Sequence, residues 1–442
     1  MSLLDLQRCE RALDGLKPPP IRGRVLRVSG LVVEASLPNT AVGTSCDILF
    51  AGQALPAEVV GFAGPRALLL PLGDVRGIHE GVPVIPRTSG AEVKVGDALL
   101  GRVVDAQMKP LDGLPVPILR DSVPLNSAPP SAMTRRRIDR PLPMGIRSID
   151  TCLTIGEGQR LGVMAGPGVG KSVLLGMIAR NAEVDVTVVA LIGERGREVR
   201  EFVERDLGSG LERAVLVVAT GDESPLVRVR AALCATAVAE YFRSKGKRVM
   251  LLMDSLSRVA MAQREIGLAA GEPPTSRGYP PSVFAMLPRL VERAGNDDGP
   301  GSITALYTLL AEGDDLADPV VDAGRAALDG HLVLSRKLAG AGHFPAIDLL
   351  GSVSRVFTDI VSNDHRALAG TAREVLSAWR EAQDLVDVGA YVPGQNPRVD
   401  RAMRVIEGLN GFLRQGINDR IAFDAAIAQL ATVLSKGAAP RA

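Results

Sequence analysis

Apolar and polar positions along the chain fall into four stretches of different periodicity. In residues 3–16, apolar side chains recur at three- or four-residue steps, which predicts a short amphipathic helix that ends at the prolines of 18–20. Residues 21–86 hold short β-prone runs broken by glycine, proline and asparagine, which favours a small β-barrel. The first helix, separated by prolines, is either a docking peptide for another protein or a local cover on the domain.

Beyond the barrel the pattern changes twice more. Within residues 142–348, apolar strands alternate with helical stretches, which is typical of a parallel sheet covered by helices on both faces. From residue 361 to 434, polar and apolar residues alternate at the helical period. We therefore predict an α/β fold with an N-terminal β-barrel and a C-terminal helical domain. The expected limits are 1–20 for the docking helix and linker, 21–90 for the barrel, 91–360 for the α/β domain and 361–442 for the helical domain.

One strand-to-helix junction carries a glycine-rich loop of the kind that binds phosphate. Residues 165–172 read Ala-Gly-Pro-Gly-Val-Gly-Lys-Ser, with Ala165 in place of the first glycine of the usual pattern. Glycines let backbone N–H groups point at the phosphates, Lys171 can reach the β and γ oxygens, and the Ser172 hydroxyl can ligate Mg²⁺. The residues expected to bind ATP or ADP here are Gly166, Pro167, Gly168, Val169, Gly170, Lys171, Ser172 and Val173.

The ends of two further predicted strands supply catalytic candidates. The strand at 186–192 runs into Glu194 and Arg195, at the sheet edge where open α/β folds bind ligands. ATP hydrolysis needs a group that orients or deprotonates water and a cation that balances charge on the phosphoryl group, and these two residues can supply both. The strand at 248–253 ends in Asp254, which matches the aspartate that supports Mg²⁺ opposite the loop serine.

Composition and charge narrow the classes of partner. The 442 residues carry 51 basic and 50 acidic side chains, so no global field recruits nucleic acid or an anionic membrane. The four cysteines form no C-x-x-C pair, which fits a reducing compartment, and the four histidines lack metal-ligand spacing. No apolar run reaches the roughly 18 residues that span a bilayer. We therefore expect a cytoplasmic protein with at most peripheral membrane contact.

Several longer stretches resemble the ATPases that energise type III protein export and, more widely, the catalytic subunits of rotary ATP synthases. Residues 193–199 read Gly-Glu-Arg-Gly-Arg-Glu-Val, and residues 254–266 read Asp-Ser-Leu-Ser-Arg-Val-Ala-Met-Ala-Gln-Arg-Glu-Ile. Residues 271–284 read Gly-Glu-Pro-Pro-Thr-Ser-Arg-Gly-Tyr-Pro-Pro-Ser-Val-Phe. The stretches look like the flagellar branch of that family, and the resemblance runs from about residue 23 to 434. It implies a RecA-like P-loop ATPase core.

Carried over residue by residue, the resemblance implies a role for each candidate. Lys171 and Ser172 would bind phosphate and Mg²⁺. Glu194 would position the attacking water, Arg195 would contact the γ-phosphate and Asp254 would support the metal.

Three more site residues enter through the resemblance alone. Phe344 stands where rotary subunits place an aromatic ring against adenine, with a core phenylalanine as the alternative, and Tyr391 is a second, weaker aromatic candidate. Arg355 stands at the arginine finger of the family and should reach the γ-phosphate of a neighbouring subunit. That role implies a homo-hexamer, closed by head-to-tail contacts.

The resemblance also implies partners, a location and an activity. The N-terminal helix would dock a stator-like regulatory protein, and the ring would meet export gate and stalk proteins, export substrates and chaperones at the cytoplasmic face of the inner membrane. We expect ATP hydrolysis, of the protein-secreting or H⁺-transporting two-sector type, that unfolds export substrates and releases chaperones, chiefly for flagellar components.

Other functions remain as alternatives: a virulence-type secretion ATPase, a rotary synthase catalytic subunit, a ring helicase and an inactive nucleotide-binding subunit. The presence of Glu194 argues against the inactive subunit. A helicase of the transcription-terminator kind needs stacking aromatics on a basic barrel, and residues 21–86 contain only Phe50 and Phe62.

Overall fold

The computed structural model describes residues 22–87, 91–310 and 318–435, so the predicted helix at 3–16 lies outside the described residues. The described chain forms two compact units. The first contains the residues up to Ala91 together with Ala269–Gly271, and the second contains Glu92–Leu268 and the residues from Glu272 onward.

The first unit is a closed antiparallel barrel, as the short β-prone runs predict. Its six strands follow the order β1-β2-β5-β4-β3-β6, and β6 pairs with β1 to close the barrel. The strands are β1 (Gly23–Ser29), β2 (Val32–Ser36), β3 (Ser45–Phe50), β4 (Gln53–Ala63), β5 (Arg66–Pro71) and β6 (Pro83–Pro86). Inward-facing residues of alternate positions, among them Val33, Ile48 and Leu69, are fully buried and form the core of this unit.

A mostly parallel sheet forms the centre of the second unit. Its strand order is β17-β16-β10-β15-β13-β11-β12-β8, in which the seven strands from β16 to β8 run parallel and β17 is antiparallel. The strands are β8 (Arg102–Asp105), β10 (Arg160–Ala165), β11 (Val186–Glu194), β12 (Ala214–Thr220), β13 (Arg248–Asp254), β15 (Ser302–Leu310), β16 (Gly330–Val333) and β17 (Val353–Ser354). The short strand β14 (Gly295–Asn296) pairs with β15, and β7 (Glu92–Val95) pairs separately with β9 (Asp121–Pro124).

Helices alternate with these strands and then continue alone to the C-terminal end of the described chain. They are α1 (Arg147–Cys152), α2 (Lys171–Asn181), α3 (Gly196–Glu201), α4 (Pro225–Ser244), α5 (Leu256–Ala269), α6 (Pro281–Glu292), α7 (Pro319–Ala327), α8 (Arg336–Gly340), α9 (Phe357–Ile360), α10 (Asn363–Asp387), α11 (Pro397–Leu413) and α12 (Phe423–Ser435). A π-helical turn at Phe202–Leu207 extends α3, and 3₁₀ turns lie at Asp97–Leu99, Gly208–Arg213 and Ser276–Gly278.

The last three helices pack into the same core as the sheet. Their apolar stripes recur at helical spacing, and Val375, Leu409 and Leu430 join a hydrophobic cluster with Leu161 of β10 and Ile178 of α2. This arrangement confirms the predicted α/β fold with a barrel before it and helices after it. None of the helices in the described ranges is both long enough and apolar enough to cross a bilayer.

Candidate nucleotide-binding site

Three strands of the sheet bring their carboxyl ends to the same edge, with β15 between β10 and the adjacent pair β13 and β11. Strand β10 leads into the glycine-rich loop, β11 ends at Glu194 and β13 ends at Asp254. Buried parallel strands require nearly continuous apolar residues, so the polar side chains that follow them gather at the sheet edge. The sequence-predicted catalytic residues of these strands therefore meet in space.

The glycine-rich loop has backbone N–H groups without an acceptor in the described chain. Gly168 and Gly170 adopt φ angles of 77° and 89°, a region that favours glycine, and α2 begins at Lys171 directly after them. The N–H groups of Gly168, Val169 and Gly170 donate to no acceptor in the described part of the chain. Free donors at the first turn of an 11-residue helix form an anion-binding position.

Ala165, the departure from the usual loop pattern, is a core residue of the structure. It ends β10, is only 1% exposed and belongs to the same hydrophobic cluster as Leu161 and Leu175. Its methyl group therefore packs in the hydrophobic core. The residue is part of the strand and leaves the glycine-rich loop after it unaltered.

Lys171 lies between two carboxylates. Its Nζ is 2.6 Å from Oδ1 of Asp254 and 3.4 Å from Oε1 of Glu194. Burial alone lowers the pKa of Lys171, but the charges of Asp254 and Glu194 and its hydrogen bonds to them outweigh burial and raise it. The ammonium is therefore charged over the whole physiological pH range, as a phosphate-binding lysine has to be.

Asp254 has a second partner that the sequence did not reveal. The hydroxyl of Thr308, in the adjacent strand β15, donates to Oδ1 of Asp254 over 2.7 Å. Thr308 is fully buried in β15, whose sequence Ser-Ile-Thr-Ala-Leu-Tyr-Thr-Leu-Leu carries three further hydroxyl side chains among apolar ones. A hydroxyl in such a strand is the one signal that could have marked it, because buried polar groups require partners.

Two residues have free oxygen atoms that suit Mg²⁺. Oδ2 of Asp254 has no hydrogen-bond partner within the described ranges, and Ser172 is exposed on the first turn of α2. The described residues hold no cluster of three or more His, Cys, Asp or Glu side chains around one point. A site with one carboxylate and one hydroxyl fits Mg²⁺, which takes most of its ligands from phosphates and water.

Glu194 occupies a partly desolvated position beside the loop. Burial raises its pKa, Asp254 and Glu198 add to the rise, and Lys171 opposes it. The hydrogen bond that Glu198 shares with Glu194 lowers the pKa of Glu198. Arg195 directly precedes α3, and its side chain is 75% exposed and lies 3.9 Å from Glu198, so a ligand can reach it.

Phe344 lies directly against the glycine-rich loop. A side-chain carbon added at Gly170 would be 3.4 Å from two carbons of the Phe344 ring, and the ring is 44% exposed. The backbone carbonyl of Phe344 accepts a hydrogen bond from the N–H of Gln415, which follows α11. The structure thus places an accessible aromatic face beside the phosphate loop.

Gln415 connects the C-terminal helices to the site and was missed by the sequence analysis. It is 6% exposed, donates to the carbonyl of Gly145 over 2.8 Å and accepts from the N–H of Arg147 over 2.9 Å. Its side chain therefore fixes the segment before α1, while its backbone N–H holds Phe344. About 270 residues separate Gln415 from Gly145, so periodicity carries no trace of this contact.

The two remaining candidates lie away from the loop. The Tyr391 hydroxyl bonds Asn396 and Asp400 and closes the turn between α10 and α11. Arg355 follows the edge strand β17, is exposed, and has a side chain with no hydrogen bond or ion pair to any described residue. An unpaired guanidinium at the end of the sheet is available to a neighbouring molecule.

Two family models match most of the second unit. Residues 145–354 match the ATP synthase alpha/beta family, nucleotide-binding domain, and residues 361–432 match the T3SS EscN ATPase C-terminal domain. The first match contains the loop, Glu194 and Asp254, and the second contains α10 and α11.

Curated relatives and solved structures resemble nearly the whole chain. A flagellum-specific ATP synthase of Pseudomonas aeruginosa is 49% identical, with 95% of each chain covered. A type 3 secretion system ATPase of Sinorhizobium fredii is 48% identical, with 94% of this chain and 92% of the relative covered. The assembled ATPase EscN from enteropathogenic E. coli superposes with a TM-score of 0.88 at 41% identity, over 93% of this chain and 100% of EscN. EscN in complex with its central stalk EscO gives a TM-score of 0.87 at 41% identity, over the same shares of both chains.

Proposed function

We infer the function of this chain from its family, since the chain belongs to the flagellum-specific ATP synthases and type III secretion ATPases. It is an ATPase that drives type III protein export. The observation that carries the catalytic part of this conclusion is the meeting of Lys171, Glu194 and Asp254 beside one glycine-rich loop. Glu194 and Asp254 end adjacent strands, and Lys171 begins the helix that follows the loop after β10.

Export of flagellar components is the function that we favour within this family. The relatives at 49% and 48% identity come from the flagellar and the secretion branches, so overall identity alone does not separate them. The motifs at 254–266 and 271–284 follow the flagellar pattern, and they carry the preference. A virulence-type secretion ATPase is the second candidate. The match of residues 361–432 to an export ATPase domain disfavours a rotary synthase subunit.

Within one subunit, each residue has a proposed task in hydrolysis. The free N–H groups of the loop and the ammonium of Lys171 bind the phosphates of ATP or ADP. Ser172 and Asp254 would hold Mg²⁺, which supplies charge neutralisation of the phosphate oxygens when bound. Glu194 orients and deprotonates the attacking water, for which its raised pKa makes it a stronger base than an ordinary glutamate.

Other groups complete the nucleotide site. Arg195 is exposed beside the site and would contact the γ-phosphate. The ring of Phe344 would stack on the adenine, a contact that requires no hydroxyl. The Tyr391 hydroxyl is hydrogen-bonded within the α10–α11 turn. We therefore propose only a secondary role for Tyr391 in binding the adenine base.

We propose that the active form is a homo-hexamer in which Arg355 completes the site of the next subunit. Its exposed, unpaired side chain supports a role outside its own subunit. An arginine supplied in this way neutralises charge in the transition state and can raise turnover on the order of a thousandfold. A ring with head-to-tail contacts is the assembly that gives every site one such arginine.

Partners and location follow from the same proposal. The ring would work at the cytoplasmic face of the inner membrane, where it associates peripherally with export gate proteins, a central stalk, export substrates and their chaperones. The segment at 3–16 would dock a stator-like regulatory protein. We also propose the domain limits 21–90, 91–360 and 361–442 for the barrel, the ATPase domain and the helical domain.

The test is a deletion of the gene complemented by variants. We expect loss of motility after deletion, recovery with the wild-type gene and with Lys337→Ala, and no recovery with Lys171→Ala. Lys337 is an exposed lysine of α8 and serves as the matched control. Motility that survives the deletion, together with loss of effector secretion, would assign the chain to a virulence system instead.

A further inference from the structure

A row of exposed apolar side chains follows β8. Leu111, Leu114, Val116 and Ile118, here named the apolar ridge, are between 54% and 81% exposed. All four lie within eight consecutive residues of the segment that follows β8, so this short stretch exposes much apolar surface. Isolated exposed apolar residues are ordinary, but a contiguous group marks an interaction site.

The apolar ridge is held in a fixed shape. Arg102 forms a two-pronged ion pair with Asp112 at 2.7 and 3.0 Å, and it also donates to the carbonyl of Pro115 over 2.8 Å. Asp112 in turn accepts from the N–H groups of Val103 and Leu114. Proline at 115 and 117 restricts the backbone further. A surface fixed in this way loses little entropy when a partner binds.

The position of the apolar ridge places it at one end of the sheet. After β8 the chain turns back and runs beside this strand, with a bridge between Val104 and Pro110 and a hydrogen bond from Leu111 to Val103. The ridge therefore covers the last parallel strand. The opposite end of the same sheet is β17, which is followed by Arg355.

A head-to-tail ring needs two different surfaces on each subunit, one for each neighbour. We propose that the apolar ridge packs against the edge of a second copy of this chain that carries Arg355. This inference rests on the ring proposed above. Only β12 separates β8 from β11, so β8 lies about 10 Å across the sheet from the strand that ends in Glu194, and the ridge segment lies directly beyond β8. A neighbour that covers the ridge is thus close enough to reach the catalytic residues.

The surface expected to meet the ridge has a matching character. Val353 is 43% exposed on the edge strand β17, two residues before Arg355. This edge thus carries an apolar side chain that can pack against the ridge and a cation that can reach the phosphates of the neighbouring site. Burial of the ridge would then couple subunit contact to completion of the active site.

The experiment compares ring assembly by the full chain and by two aspartate variants. Sedimentation and light scattering over a range of protein concentrations give the concentration at which half of the chains are in rings. We expect Val116→Asp combined with Ile118→Asp to raise this concentration at least tenfold, with unchanged binding of a fluorescent ATP analogue. The control is Val388→Asp, at a position with similar exposure beyond α10, and it should assemble like the wild type.

A labelling experiment tests the contact without an introduced charge. Cysteine is placed at Ile118 or at Val388, and maleimide labelling is located by mass spectrometry below and above the assembly concentration. We expect assembly to protect the Ile118→Cys thiol and not the Val388→Cys thiol. A wild-type chain that never assembles overturns the ring and this inference together. Rings that form equally well in the double variant, or that leave Ile118→Cys fully reactive, overturn this inference alone.

Discussion

At the scale of single residues, Asp254 is held in one orientation by two partners, one from strand β15 and one from helix α2. Thr308 and Lys171 both bond Oδ1, and the free Oδ2 is thereby directed away from them. A carboxylate that is already oriented loses less entropy when it supports a metal or an ordered water. The threonine is therefore part of the proposed catalytic arrangement although it lies inside the sheet.

Glu194 is the residue on which the proposed chemistry depends most. We expect Glu194→Gln to lower kcat on the order of 10² to 10⁴-fold with little change in nucleotide affinity, because the amide cannot take a proton from water. Steady-state ATPase assays and fluorescent nucleotide binding measure the two quantities. Glu201→Gln, at the exposed end of α3, is the control and should retain wild-type turnover.

The pH dependence of kcat provides a second test of the role of Glu194. The carboxylate form of Glu194 is the active base, so kcat falls as pH falls through its pKa. Since burial raises that pKa, the acid limb should lie above the value of about 4.5 for ordinary glutamate. A wild-type limb that persists unchanged in the residual activity of Glu194→Gln would assign it to another group.

At the scale of helices and strands, the C-terminal helices do more than extend the fold. Gln415, after α11, ties the segment before α1 and the Phe344 loop to the helical region. Both segments lie beside the phosphate loop or lead into its strand. Any displacement of α11 would therefore be transmitted to the base side of the nucleotide site.

Gln415→Ala tests this connection through stability. The change leaves the Gly145 carbonyl and the Arg147 N–H without a partner, and one such buried group costs about 1–3 kcal/mol. We expect the free energy of unfolding to fall by about 2 kcal/mol in urea titrations. The fluorescence of Trp379, the single tryptophan, reports the second unit. Gln429→Ala, at an exposed position of α12, is the control, and equal midpoints for the two variants would contradict the proposed role.

At the scale of the whole molecule, catalysis should depend on assembly. If Arg355 acts across a subunit boundary, turnover per subunit rises with protein concentration. We expect Arg355→Ala to retain nucleotide binding and ring formation but to lose this rise, with turnover reduced on the order of a thousandfold. Arg366→Ala provides a comparison at another exposed arginine. Unchanged turnover in Arg355→Ala would exclude Arg355 from the site.

The sequence revealed those features of fold and site that depend on local order. Strands buried on both faces appear as apolar runs, and the glycine-rich loop and the polar residues at strand ends appear beside them. Thr308 and Gln415 could not be inferred in this way, because their roles depend on which strands are adjacent and on a contact across about 270 residues. Arg355 was indicated by resemblance alone, since no local pattern distinguishes it from other exposed arginines.

The closed barrel also affects how the proposed ring would avoid aggregation between neighbouring chains. Every strand of the barrel has two neighbours, so none presents a row of unpaired backbone groups to the next barrel. The β1–β6 seam is the shortest, with only two residue pairs, and is the natural place for transient opening. Strand β6 begins and ends with Pro83 and Pro86, which have no N–H to donate. When this seam opens, the edge of β6 would thus present a poor template for strand addition by a second chain.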